Sequence, residues 1–284
     1  MNINKWIEIK NKEYEKENPP DFITHLNYII YLNNASADLG AKHNFTVKET
    51  IKESKILQKK IHLIKLIIKN LKEENKTIKT NLGFAEVCVP WIAVKTYYLI
   101  FNLILILEYL IYGQESYFLN STHKGLIKKI KNHIERGEIF FTKDIFNSNF
   151  KCSDIMSLKI KSGTNLKIVN ANSGDIINLL LKKLVSYKIE EFQREEKIEN
   201  YRLKKSRQKK IHFLENNTIN LLEFFYYYRI KSNYRDLEFL DKDIHENQFV
   251  NFYQNYLETA INFYNSIRMV INSLAKVRLE KEIL

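Results

Sequence analysis

Residues 91–112 read WIAVKTYYLIFNLILILEYLIY, the longest apolar run in the chain. A helix over this run is hydrophobic on almost every face, so in a folded protein other elements must surround it. Lys95 and Asn102 interrupt it seven residues apart, which places them on roughly one side. The expectation is a core helix whose polar stripe also lines a site. About 20 apolar residues would also suffice to span a bilayer. Lys95, Asn102 and Glu108 argue against that, because charges in lipid are costly, and no membrane partner is expected.

The punctuation on both sides supports a bundle of long helices. Pro90 suits the first turn of the apolar helix, and Gly113 suits its end. Ser121-Thr122 offers an N-cap for a basic helix, THKGLIKKIKNHIERG, closed by Gly137. Upstream, Asp21 follows Pro19-Pro20 and opens a helix stopped by Gly40. The next helix is expected to begin near Thr46 or Lys48. Leu57, Ile61, Ile64, Ile68 and Leu71 form its apolar stripe at spacings of 4, 3, 4 and 3, opposite Lys55, Lys59, Lys69 and Lys72.

Beyond residue 140 the period changes. Leu158, Ile160, Leu166 and Ile168 alternate with lysines around Ser162-Gly163-Thr164-Asn165, which predicts a small β-hairpin. Asp175 then caps a helix with Ile177, Leu180, Leu181, Leu184 and Tyr187 on its apolar side. A block of glutamates over 190–199 passes into a base block, Arg202, Lys204, Lys205, Arg207, Lys209 and Lys210. Acids before bases is the order that the helix dipole favours. Two readings of the base block stand, a solvated helix extension and a phosphate-contacting patch. Leu214, Thr218, Leu221, Phe225 and Tyr228 give another stripe. The cleanest is the last, Tyr253, Leu257, Ala260, Tyr264, Ile267, Ile271 and Leu274.

Only 7 glycines and 3 prolines occur in 284 residues, consistent with long helices and few tight turns. The fold class expected is mainly α, a helical bundle with a small inserted β-hairpin. Residues 1–82 are expected to form an N-terminal helical extension, residues 83–284 the bundle, and about 140–205 an insertion. The net charge of +12 and pI near 9.3 point to a polyanion partner, nucleic acid before an anionic membrane. Cys88 and Cys152 are the only cysteines and stand alone, so no metal site is expected, and a reducing cytoplasm fits. The charged N-terminus has no apolar core and does not read as a signal peptide. No phosphate loop, dinucleotide fingerprint, zinc-protease or nucleophile-elbow motif occurs, so no cofactor is expected.

Tyr97-Tyr98-Leu99-Ile100-Phe101-Asn102 resembles the YYxxFH signature on the first core helix of HEPN domains. Thr122-His123-Lys124-Gly125 is similar to the THxG segment that follows it, and Arg229-Ile230-Lys231-Ser232-Asn233-Tyr234 to the RxxADY segment before the last helix. The final helix, LETAINFYNSIRMVINSL, is similar to the family's closing helix. Together these cover about residues 85–137 and 214–276. The resemblance implies an all-α bundle that dimerises through its core helices. It also implies a metal-independent ribonuclease of prokaryotic defence or toxin–antitoxin systems, with a possible partner protein encoded nearby.

The family's usual catalytic pair is an arginine followed four to six residues later by a histidine. An imidazole carries protons near neutral pH and a guanidinium holds phosphate, which suits phosphodiester chemistry. Here Tyr234 stands five residues after Arg229, and Asn102 stands where relatives often have histidine. A phenol with a reference pKa near 10 is a poor base, and an amide shuttles no protons. Arg229, Tyr234 and Asn102 are therefore candidates for binding a phosphate or a base, or for a buried polar cluster. Arg207 and His212 give a literal arginine-to-histidine spacing, yet residues five apart sit about 140° from one another on a helix. His123 or His133 would be the other source of an imidazole. The RNA-contacting candidates are Lys204, Lys205, Lys209, Lys210, Lys231, Arg235 and His123. The competing reading is a non-catalytic subunit that binds nucleic acid or a partner inside a larger defence complex.

Overall fold

The computed structural model of the chain describes residues 21–47, 49–159, 173–234 and 244–284. The fold is mainly α. Ten helices are described: α1 (Asp21–Ser36), α2 (Lys55–Thr80), α3 (Phe84–Tyr112), α4 (Ser116–Asn120), α5 (His123–Glu135), α6 (Cys152–Ser157), α7 (Ser173–Glu195), α8 (Lys204–Asn216), α9 (Glu223–Tyr234) and α10 (Glu246–Arg278). Two antiparallel strand pairs join segments that are distant in sequence: β1 (Ala41–His43) with β2 (Ile139–Phe141), and β3 (Phe150–Lys151) with β4 (Thr218–Ile219). Most of the hairpin expected over 158–168 lies outside the described residues, as do residues 1–20.

Helix α3 is the axis of the molecule, packed by α2, α9 and α10. Eighteen of its 29 residues are buried, which is why so few of its positions tolerate a charge. The run has the length and apolarity to cross a membrane, but 67% of its most apolar window is covered by protein, as in a core helix. Among the described residues the polar interruptions find partners, apart from the Asn102 Oδ1. Lys95 pairs with Glu74 of α2, Asn102 gives its amide to the Tyr98 carbonyl at 2.6 Å, and Glu108 pairs with His133 of α5 at 2.7 Å. Tyr253 of α10 reaches the same Glu74 at 3.0 Å, tying α2, α3 and α10 together.

Several boundaries differ from expectation. Helix α2 begins at Lys55 rather than near Thr46 or Lys48, because Ser54 takes the Leu57 N–H at 3.0 Å and acts as the cap. Helix α3 begins at Phe84, so Pro90 lies in its interior. The first turn is secured by Phe84 and Ala85 N–H bonds to Asn81 and Leu82, and only the Glu86 carbonyl loses its partner. The stripe drawn from Leu214 to Tyr228 crosses three elements, α8, β4 and α9.

The glutamate and lysine blocks are not one helix either. Lys197 adopts φ 50°, its N–H bonds the Arg194 carbonyl, and Ile198 bonds Gln193, closing α7 with a left-handed cap that lacks glycine. Gly137 closes α5 in the same way at φ 64°. Gly113, at φ 71°, ends α3 where expected. Helices α1 and α2 share one buried core with α3 and α10.

Candidate functional site: a guanidinium and an imidazole on a buried tyrosine

Tyr97 of α3 is the meeting point. Its position on the axial helix buries the ring (1% exposed), and three elements converge on it. From α9, the Arg229 guanidinium lies over the Tyr97 ring at 4.9 Å and over the Tyr98 ring at 6.0 Å. From the first residue of α5, His123 Nδ1 lies 2.7 Å from the Tyr97 hydroxyl. One turn before Arg229, Tyr226 packs against Tyr97 and donates its hydroxyl to Glu191 of α7 at 2.7 Å.

Local sequence explains this convergence. Thr122 caps α5 by accepting from Gly125 N–H at 3.0 Å, which fixes the direction in which His123 leaves the helix start. A Cβ at Gly125 would sit 2.8 Å from Thr122 Oγ1, so that position needs glycine. Phe101 and Tyr98 frame the imidazole, with ring centroids 4.5 and 5.9 Å away. An open recess of about 230 Å³, lined by residues including Asn120, Thr122, Gly125 and Lys129, adjoins the same helix start.

The electrostatics are directional. Burial and the nearby Arg229 both hold His123 below the usual histidine range, so the ring is neutral at pH 7. Burial pushes the Tyr97 phenol well above its ordinary range, and Arg229 pulls it back only in part, so it stays protonated. A hydroxyl can donate to Nδ1 or accept from it. In the first case Nε2 carries the proton and can donate a hydrogen bond, and the ring acts as an acid only after it has taken up a second proton. In the second, Nε2 is a free base. Passing between the two needs the ring proton to leave one nitrogen and be replaced at the other, with the O–H turning to match. Arg229 Nε and Nη1 are buried without a hydrogen-bond partner among the described residues. Such donors cost free energy that stacking on tyrosine offsets only in part, and an incoming anion would satisfy them.

Carboxylates stand nearby but are already engaged. Glu191 takes Tyr226 and Tyr227, and Glu195 takes Lys124 at 2.8 Å. Burial pushes both thiols, Cys88 and Cys152, up to about 11, which leaves neither as a nucleophile at neutral pH.

The other sequence candidates are placed as follows. Asn102 is buried on the same helix as Tyr97, with its amide on its own backbone and its Oδ1 without a partner among the described residues. The side chain of Tyr234, and Arg235, lie outside the described residues. Lys231, expected to contact RNA, is instead buried at 5% exposure, with Nζ 2.9 Å from His25 Nε2 of α1, because its side of α9 faces the core. Arg207 and His212 sit on the exposed helix α8, where His212 contacts Asn216. Lys204 and Lys205 are exposed there, Lys209 pairs with Glu196 at 2.7 Å, and Lys210 covers Tyr201. The aromatic run Phe224–Tyr228 is core.

Tyr97 was missed as a site residue. The signal was present, because Tyr97 is the first position of the motif that carries the family resemblance. The chain matches no protein-family model, and neither a curated protein nor a solved structure matches it.

Proposed function

We propose that this chain engages RNA and cleaves it without metal at the Arg229–Tyr97–His123 cluster, as a HEPN-like effector of a prokaryotic defence or toxin–antitoxin system. The observation that carries this reading is a stacked arginine with unsatisfied donors beside a neutral, phenol-coupled histidine. In such a site the guanidinium holds the scissile phosphate and stabilises the charge that grows on it. The imidazole takes the proton of the attacking 2′-hydroxyl or returns one to the leaving 5′-oxygen. Tyr97 orients the ring and sets its tautomer. The helix start at Thr122–Gly125 adds a partial positive charge on the same side.

Cleavage of a single-stranded RNA in EDTA by purified protein tests the reading. Cleavage lowered at least about a hundredfold by Arg229→Ala and by His123→Ala is expected, and RNA left intact by the native protein at high concentration overturns it. We propose in addition that the protein is cytoplasmic and pairs with a second copy through α3. Val87, Trp91 and Tyr98 on that helix are exposed, at 61%, 57% and 39%, along one stripe that ends at the cluster. Trp91→Glu should convert a dimer to a monomer in light scattering, and a monomeric native protein overturns the pairing.

A further inference from the structure

The lysines of α2 are not spread around the helix. Lys65, Lys69, Lys72, Lys76 and Lys79 recur at spacings of 4, 3, 4 and 3, and all five are exposed. That spacing makes one ridge about 21 Å long. Along the ridge the sole ion pair among the described residues is Lys69 with Glu73 at 3.9 Å. The other acid of the helix, Glu74, is turned inward onto Lys95. The helix carries eight lysines against two glutamates, a large part of the net charge of +12.

Two alternatives compete for such a ridge. A lipid surface would need the apolar face of the helix. Leu57, Ile64, Leu71 and Ile78 are fully covered by the bundle, which leaves only Leu63 and Leu66 as exposed apolar surface on the helix, too little to insert. The base block of α8 is the other cationic patch, but Glu196 and the Tyr201 ring already engage two of its lysines. A row of exposed cations at helical spacing, with a single weak ion pair along it, is the feature that tracks a phosphate backbone.

We infer that the Lys65–Lys79 ridge of α2 is the track that holds the phosphate backbone of single-stranded RNA. This rests on the reading of the chain as one that engages RNA, and it extends that reading to where most of the binding strength lies. Five phosphate contacts give a slope of about −3.5 in log K against log[salt], at roughly −0.7 per contact on a single strand.

The test measures binding of a fluorescent single-stranded RNA by anisotropy between 50 and 200 mM salt. The proteins are the native chain, a Lys65→Gln/Lys69→Gln/Lys72→Gln/Lys76→Gln/Lys79→Gln variant and a Lys204→Gln/Lys205→Gln/Lys209→Gln/Lys210→Gln variant, each checked for native helicity. The native chain should lose about a hundredfold more affinity over that range than the α2 variant, while the α8 variant behaves as native. A salt slope that drops with the α8 variant and not the α2 variant overturns the track, whatever the cleavage assay gives. A slope carried by α2 in a protein that never cuts RNA sustains the track and removes only the catalytic reading. Absence of RNA binding at 50 mM salt, or lysine-dependent binding to anionic lipid vesicles in its place, overturns both.

Discussion

Helix α5 carries a histidine near each end, and the two have opposite surroundings. His123, at its start, is half-buried and touches one neutral hydroxyl and the field of Arg229. His133, in its last turn, is 3% exposed and clamped between two carboxylates, Glu138 at 2.6 Å and Glu108 at 2.7 Å. Burial alone would lower His133, but the hydrogen bonds and charges of Glu108 and Glu138 outweigh it and raise the group above the ordinary histidine range. Lys129 adds a second cation on Glu108 at 3.1 Å, so the cluster is balanced, two charges of each sign. The same side chain on the same helix is thus a neutral, half-exposed ring at one end and a fastener at the other. Neighbours on other helices make the difference.

The largest expected effect falls on the fastener. His133→Ala leaves Glu108, at 1% exposure, with half its cations and Glu138 still close by. Breaking a buried pair from one side costs about 3–5 kcal/mol, readable as a lower midpoint in urea unfolding. A loss under about 1 kcal/mol would show that the clamp is ornamental.

Second comes Arg229→Ala at the other end. We expect about 10²–10³-fold less RNA cleavage, the usual penalty for deleting one donor to a developing oxyanion, with the fold retained. An equal loss of stability and activity would reduce the cluster to packing.

The pH dependence of stability separates the two rings more finely. His133 has a raised folded pKa, so its contribution is complete below the unfolded value near 6.5 and fades as pH rises through the folded value. His123 has a lowered folded pKa, so it contributes instability that grows as pH falls below about 6.5. Unfolding titrations of His133→Gln should lose the decline on the alkaline side, and those of His123→Gln the decline on the acid side. Interchanged profiles would refute the assignment of the two environments.

The smallest effect tests what holds His123 in place. Thr122→Ala removes the cap on Gly125 and should cost about 1 kcal/mol, typical of a lost N-cap. If His123 depended instead on its tyrosine contact, Tyr97→Phe would cost more than Thr122→Ala.

Much of the scaffold was legible because it is local. The apolar stripe of α10, the cap at Thr122 and the left-handed glycines at 113 and 137 each depend on residues within one or two turns. The candidate site was legible only in pieces. Arg229, His123 and Asn102 were singled out, but not that Tyr97 would bind the first two while Asn102 turned to its own backbone. Pro90 inside α3 and Lys197 in a left-handed cap both defy local propensity.

By itself, the sequence determined a mainly helical chain, the identity of its buried axis and the excess of cations, since periodicity and composition follow from residue types alone. The tertiary structure decided which cation meets which imidazole, which lysine is interior and which row of lysines faces solvent. The reason is physical. Burial and charge pairing depend on distance in space, and Arg229 and His123 become neighbours only when α5 and α9 both close on Tyr97.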